Sequence, residues 1–160
     1  MKAVIIIPAR YKSSRFPGKP LTPILGKPMI LWVAELCAHA LPIEHIFIAT
    51  DDSRIKDVVE NAGFNVVMTS KKALTGTDRI ADAATQIDAD IYINVQGDEP
   101  LLNPNDIISI IEVKKKYPNE IINCYCKISD DENPESVNIP KVVFNENNQM
   151  IYMSRQLIPG

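Results

Sequence analysis

The stretch IIIPARYKSSRFPGKPL, Ile5–Leu21, begins as an unbroken apolar run and ends as a loop carrying four cations and three prolines. With Ala3 and Val4 ahead of it, Ala3–Ile7 has no polar residue to turn toward water on either side. That is the pattern of a strand buried on both faces. Such strands belong to parallel sheets covered by helices, so this segment points to an α/β chain. Pro8 is expected to end the strand, and the cations Arg10, Lys12, Arg15 and Lys19 follow at its carboxyl end.

The same alternation continues along the chain. Helical spacing is expected at Met29–Ala40, Asp52–Ala62 (capped by Asp51 or Asp52), Thr77–Ile87 and Asn105–Lys116. Strands are expected at Ile43–Ala49, Asn65–Met68, Ile91–Val95, Ile121–Cys126, Lys141–Phe144 and Gln149–Met153, with the polar stretch Ser129–Ser136 as a connection. The expected fold is a three-layer α/β/α arrangement around a mostly parallel sheet. Ligands in such sheets sit at the carboxyl ends of the strands.

Length and composition narrow the class. The 160 residues suffice for one domain with a real core, and the 46% hydrophobic fraction is ordinary for a globular chain. No repeat, linker or low-complexity tract divides it, so residues 1–160 are expected to form a single domain. No apolar run reaches the roughly 20 residues of a membrane span, and the start is too short for a signal peptide, so a cytoplasmic protein is expected. Cys37, Cys124 and Cys126 are expected to be buried, reduced thiols. The net charge is −3, yet residues 1–34 hold six cations and no acid. A basic start on an acidic body indicates a local anion site rather than a nucleic-acid surface.

The loop Pro8–Leu21 has what a polyphosphate site needs. Ser13, Ser14 and Gly18 can present backbone N–H groups, Arg forks onto phosphate, Lys adds a compact charge, and the prolines restrict the backbone. A Walker loop is excluded: Ser13 stands where Gly18-Lys19 would need its upstream glycine, and Leu21 does so for Gly26-Lys27. The dinucleotide fingerprint G-x-G-x-x-G is absent as well. A second stretch, INVQGDEP (Ile93–Pro100), places Asp98 at another strand's carboxyl end, on the same rim. A carboxylate there can hold Mg²⁺ against phosphate oxygens. A third, TGTDR (Thr75–Arg79), has the look of a capping box at the start of a helix. Its arginine sits in the first turn, where the helix dipole disfavours a cation, and a ligand anion or nucleobase is expected to account for it.

These stretches, with ATDD (Ala49–Asp52) and SRQLIP (Ser154–Pro159), resemble the sugar-nucleotide cytidylyltransferases, most specifically the 3-deoxy-manno-octulosonate (Kdo) branch. The sialic-acid branch shares the P-A-R opening but usually continues without Pro-Gly-Lys-Pro. The resemblance implies a Rossmann-like nucleotidyltransferase fold and transfer of CMP from CTP to the anomeric hydroxyl of Kdo, with Mg²⁺ as cofactor and release of pyrophosphate. It implies that Arg10, Arg15 and Lys19 are the catalytic cations around the triphosphate, with Ser14 beside them. Pro8, Ala9, Thr75, Gly76 and Arg79 would surround the cytidine, Gln96 would touch sugar or base, and Asp98 would bind the metal. No role is implied for His39 or His45. The family pattern continues beyond Ser154–Pro159, so the chain is expected to lack a C-terminal part that supplies sugar contacts, a second metal carboxylate and much of a homodimer interface. Two alternatives stay open: a different acceptor, such as 8-amino-Kdo or a nonulosonate, and a CTP-binding chain without turnover.

Overall fold

The computed structural model of the chain describes residues 1–12 and 16–158. It falls into two compact units, Met1–Ile122 and Asn123–Gly160.

The first unit is built on four parallel strands. They are β1 (Ala3–Ala9), β4 (Ile46–Thr50), β5 (Asn65–Met68) and β6 (Ile91–Asn94), in the order β5-β4-β1-β6. The helices are α1 (Met29–Ala38), α2 (Ser53–Asn61), α3 (Gly76–Ala84) and α4 (Pro104–Lys116). A small antiparallel hairpin, β2 (Pro23–Ile24) and β3 (Lys27–Pro28), precedes α1.

β1 shows why the chain layers as it does. Ala3, Ile5, Ile7 and Ala9 face a core with Ile30, Val33 and Cys37 of α1, Ile55 and Val59 of α2, and Ile107 and Ile111 of α4. Val4 and Ile6 face the other way, onto Ala83 of α3 and Ile87. Alternate side chains of one strand thus fill two cores, which is what an all-apolar strand requires. This is the Rossmann-like α/β/α arrangement expected from the sequence.

Several boundaries differ. β1 passes through Pro8 to Ala9, opposite Thr50 of β4. The strand tolerates proline because its pairing with β6 ends at Ile6↔Asn94. The Ile6 carbonyl accepts from Val95, so the Pro8 backbone two residues on also turns to that side, past the last β6 residue. No ladder hydrogen bond is lost there. Ile43–His45 is a 3-10 turn after Pro42 rather than the start of β4. Asp52 is the cap of α2, accepting from the Arg54 backbone N–H at 3.0 Å. Helix α3 ends at Ala84, three residues short of the expected Ile87.

The hairpin β2–β3 was not expected. Its two turn residues, Leu25 and Gly26, both have positive φ (50° and 82°), which makes a type I′ turn. Trp32 Nε1 donates to the Ile24 carbonyl, and Lys27 lies over the Trp32 ring while pairing with Glu35.

In the second unit, β7 (Lys141–Phe144) and β8 (Met150–Ser154) pair antiparallel, much as expected. Ile121–Cys126 is not a strand: it has no regular secondary structure, and its Tyr125 ring packs on Phe144 of β7 with centroids 4.5 Å apart. The thiols divide too. Cys37 is buried, and burial pushes it up to about 12, whereas Cys124 and Cys126 are exposed. No helix among the described residues is long and apolar enough to cross a membrane.

Candidate active site

The strand order reverses between β1 and β6, which flank each other although the parallel strands β4 and β5 lie between them in the chain. That reversal opens a crevice at the carboxyl ends. The basic loop leaves β1 there and the acidic turn leaves β6 there.

The two are joined. Lys19 Nζ lies 2.5 Å from Asp98 Oδ2. Lys19 is set by the geometry around it: Gly18 has φ 74° and donates to the Tyr11 carbonyl at 2.8 Å. A methyl on Gly18 would stand 3.1 Å from the Tyr11 ring, so the loop's ends close against each other. Arg54 stacks on the same ring at 3.3 Å while holding Asp52 with two side-chain hydrogen bonds. Ser14 and Arg15, and Ser13 with them, lie outside the described residues.

The acidic turn is fixed by Gly97. A Cβ there would be 2.9 Å from the Pro8 carbonyl oxygen and 3.2 Å from Ile30 Cδ1. Only glycine lets the β6 turn approach β1 this closely. Asp98 and Glu99 then face an open pocket of about 360 Å³ shared with Pro100, Leu101 and Leu102. The Glu99 carboxyl sits above its ordinary range, first because it is partly desolvated and second because Asp98 is charged. Among the described residues, no three His, Cys, Asp or Glu side chains converge as a metal cluster.

The third stretch arrives through α3. Thr75 is its N-cap in a full capping box: Asp78 N–H donates to Thr75 Oγ1, and Thr75 N–H and Oγ1 both donate to Asp78 Oδ2. The Thr75 hydroxyl bond, followed by the backbone bonds, holds Asp78 below the usual carboxylate range. One residue on, a Cβ on Gly76 would be 3.4 Å from Pro8 Cγ and 3.5 Å from Gln96 Oε1. Pro8, Gly76 and Gln96 therefore meet at one point, and Gln96 is oriented by donating to Asn94 Oδ1 at 2.7 Å. Arg10 reaches the same region, donating to the Leu74 carbonyl at 3.2 Å.

Arg79 is buried. Its guanidinium meets Asp51 Oδ2 at 3.4 Å and Thr69 Oγ1 at 2.5 Å. Thr69, Tyr11 and Gly97 take part without having been expected to, and Asp51, a candidate helix cap in the sequence, pairs with Arg79 instead. Asp51 was visible as one of two adjacent acids; nothing in the spacing marked Tyr11 or Thr69.

Residues 4–160 match the family model described as Cytidylyltransferase. The chain belongs to the cytidylyltransferase family. This cytidylyltransferase is 48% identical over 164 aligned positions, 99% of the chain, to the 8-amino-3,8-dideoxy-manno-octulosonate cytidylyltransferase of Shewanella amazonensis, and 46% identical to that of Shewanella halifaxensis. It spans 67% of the length of each. Among solved structures, all of it superposes on a CMP:2-keto-3-deoxy-manno-octonic acid synthetase complexed with CTP, with a TM-score of 0.88 at 38% identity, covering 66% of that chain. A cytidylyltransferase from Leptospira borgpetersenii shares the fold at a TM-score of 0.66.

Proposed function

We propose that the chain carries the nucleotide site of an enzyme that transfers CMP from CTP to the anomeric hydroxyl of a 3-deoxy-manno-octulosonate, releasing pyrophosphate. The observation that carries the reading is the meeting of Lys19 and Asp98 at the strand-order reversal. A cation for the triphosphate and a carboxylate for its counter-cation share one rim. The match to the family over residues 4–160 supports treating both compact units as parts of one nucleotidyltransferase domain.

In this reaction the sugar hydroxyl oxygen bonds to the α-phosphorus, the bond to the β-phosphate oxygen breaks, and the hydroxyl proton passes to water. Such chemistry is largely positioning and charge neutralisation. Arg10, Arg15 and Lys19 hold the triphosphate and take up charge on the departing pyrophosphate. Pro8, Ala9, Gly76 and the capped turn at Thr75 form the base side, Ser14 offers a further polar group, and Gln96 lies between base and sugar. The residues fit Mg²⁺: Asp98 is a half-exposed hard oxygen donor with Glu99 beside it, and Mg²⁺ asks for only one or two carboxylates besides phosphate oxygens and water. When bound, the ion neutralises phosphate charge.

The identity to the Shewanella enzymes, 48% against 38% for the octonic acid synthetase, favours the 8-amino sugar over Kdo as acceptor. Supplying CTP and Mg²⁺ with each sugar acid in turn and measuring pyrophosphate tests both points. Sugar-dependent release is expected, faster with the 8-amino acid. CTP binding with no release from either would leave a nucleotide-binding chain, and absence of CTP binding would overturn the proposal.

A further inference from the structure

The first turn of a helix is an unfavourable place for a cation, since the positive end of the dipole lies there. Arg79 occupies that turn in α3 and is only 2% exposed. Burying a guanidinium is costly unless it is paired and hydrogen-bonded. Here the compensation comes from two other elements. Asp51, just past the end of β4, supplies the charge at 3.4 Å. Thr69, just past the end of β5, accepts at 2.5 Å and is itself tied back by its N–H to the Thr50 carbonyl at 2.8 Å. One side chain therefore binds α3 to the carboxyl ends of two strands.

The same first turn presents Gly76 to Pro8 and Gln96. A Cβ at Gly76 would already stand in van der Waals contact with both, at 3.4 Å from Pro8 Cγ and 3.5 Å from Gln96 Oε1. A small displacement of the helix start would change that contact. Lys19 and Asp98 sit on the segments after β1 and β6, whereas the Arg79 guanidinium meets Asp51 and Thr69, past β4 and β5.

We infer that Asp51, acting through Arg79, is a positioning residue for the nucleobase: it fixes the start of α3 against Pro8 and Gln96, and so sets the preference for cytosine. The inference rests on the reading of Pro8, Gly76 and Gln96 as the base side of the site. Without the Asp51 carboxylate, a buried guanidinium has lost its counter-charge and must move toward water, carrying the helix start with it. Contacts to the base then loosen, while the triphosphate contact of Lys19, which pairs with Asp98 rather than with α3, stays.

Calorimetric titration of the chain with CTP and with UTP, each with Mg²⁺, separates this from a merely structural role. A destabilised protein that unfolds irreversibly lowers the stoichiometry, and one that unfolds reversibly weakens CTP and UTP by the same factor, so neither changes the ratio of the two affinities. Asp51→Asn is expected to keep the stoichiometry and weaken CTP about tenfold, with UTP changed much less, so that the two affinities converge. Thr69→Val removes one hydrogen bond while leaving the ion pair, and should move the CTP-to-UTP ratio the same way by a smaller factor. Asp51→Glu, which keeps the charge, should recover most of the preference. If Asp51→Asn does not yield folded protein, Thr69→Val decides. An unchanged ratio in whichever of these variants folds would overturn the inference while leaving the base site standing. A wild-type chain that binds CTP no better than UTP would overturn the base site and the inference with it.

Discussion

Lys19 Nζ and Asp98 Oδ2 stand 2.5 Å apart, one on the loop after β1 and the other on the turn after β6. Both side chains are close to half exposed, at 44% and 49%. An ion pair that wet contributes only about 0–1 kcal/mol to stability. Its placement, at the reversal of strand order, matters more than its strength.

Replacing Lys19 separates these two measures. Lys19→Ala is expected to shift the urea midpoint by an amount equivalent to less than about 1 kcal/mol. Sugar-dependent pyrophosphate release should fall by a factor on the order of 10²–10³, as for loss of one preorganised charge. A variant with near-normal kcat/KM for CTP would show that Lys19 is no more than a surface charge.

Nucleotide choice follows from the base side. Cytosine offers an amino donor and a carbonyl acceptor to the backbone around Pro8, Ala9 and Gly76. Sites that pair such groups reject analogues that leave them unpaired. Titration should rank CTP above UTP and both above ATP; equal affinities would reduce the site to a generic polyphosphate cradle.

Gly97 is expected to tolerate nothing larger. A methyl would meet the Pro8 carbonyl oxygen at 2.9 Å, and backbone cannot swing aside as a side chain does. Gly97→Ala should cost about 1–3 kcal/mol, read as a lower denaturation midpoint with unchanged slope. CTP affinity should fall as well, since the β1 and β6 ends are forced apart.

Leu25 offers the opposite case. It is 92% exposed and held at φ 50° in the hairpin turn, so its side chain gains no burial while its backbone is strained. Asparagine adopts that conformation more readily. Leu25→Asn is expected to stabilise the chain by about 1 kcal/mol, and a melting temperature equal to or below that of the parent would count against the turn assignment.

The pH response near the acidic turn has a definite sign. Glu99 titrates above its ordinary 4.5 in the folded chain, because partial desolvation and then the Asp98 charge disfavour its anion. The fold therefore carries a penalty at neutral pH that disappears as pH falls below the unfolded value. Glu99→Gln should be more stable than the parent at pH 7 and indistinguishable from it below about pH 4. Asp52 and Asp78 run the other way: both are lowered in the fold, by the Arg54 and Thr75 hydrogen bonds respectively, and their contributions fade as acid protonates them.

Much of this molecule could be read from residue order. Ala3–Ile7 shows both cores at once, because an all-apolar strand leaves no side for water. Asn65–Met68 and Lys141–Phe144 keep their expected bounds because their β-branched runs are short and cleanly bordered. What stayed hidden depends on partners far along the chain. Ile121–Cys126 has strand-like composition, but composition does not supply the second strand that a ladder needs. Pro8 looked like a terminator because its loss of a donor matters only if the next strand extends that far. The arginine of TGTDR raised a local question, and its partners lie 28 residues and 10 residues upstream, at Asp51 and Thr69. Periodicity records which face a side chain uses; it does not record which distant group waits there.

Cys37 gives the chain an internal clock. Its thiol lies in the core between α1 and the sheet, and burial raises it to about 12, so almost no thiolate exists at neutral pH. An alkylating reagent will consume the exposed Cys124 and Cys126 first and reach Cys37 only when the core opens. The slow third labelling event therefore times the breathing of the sheet itself, and its retardation by CTP would report how firmly a bound nucleotide holds the strand ends together.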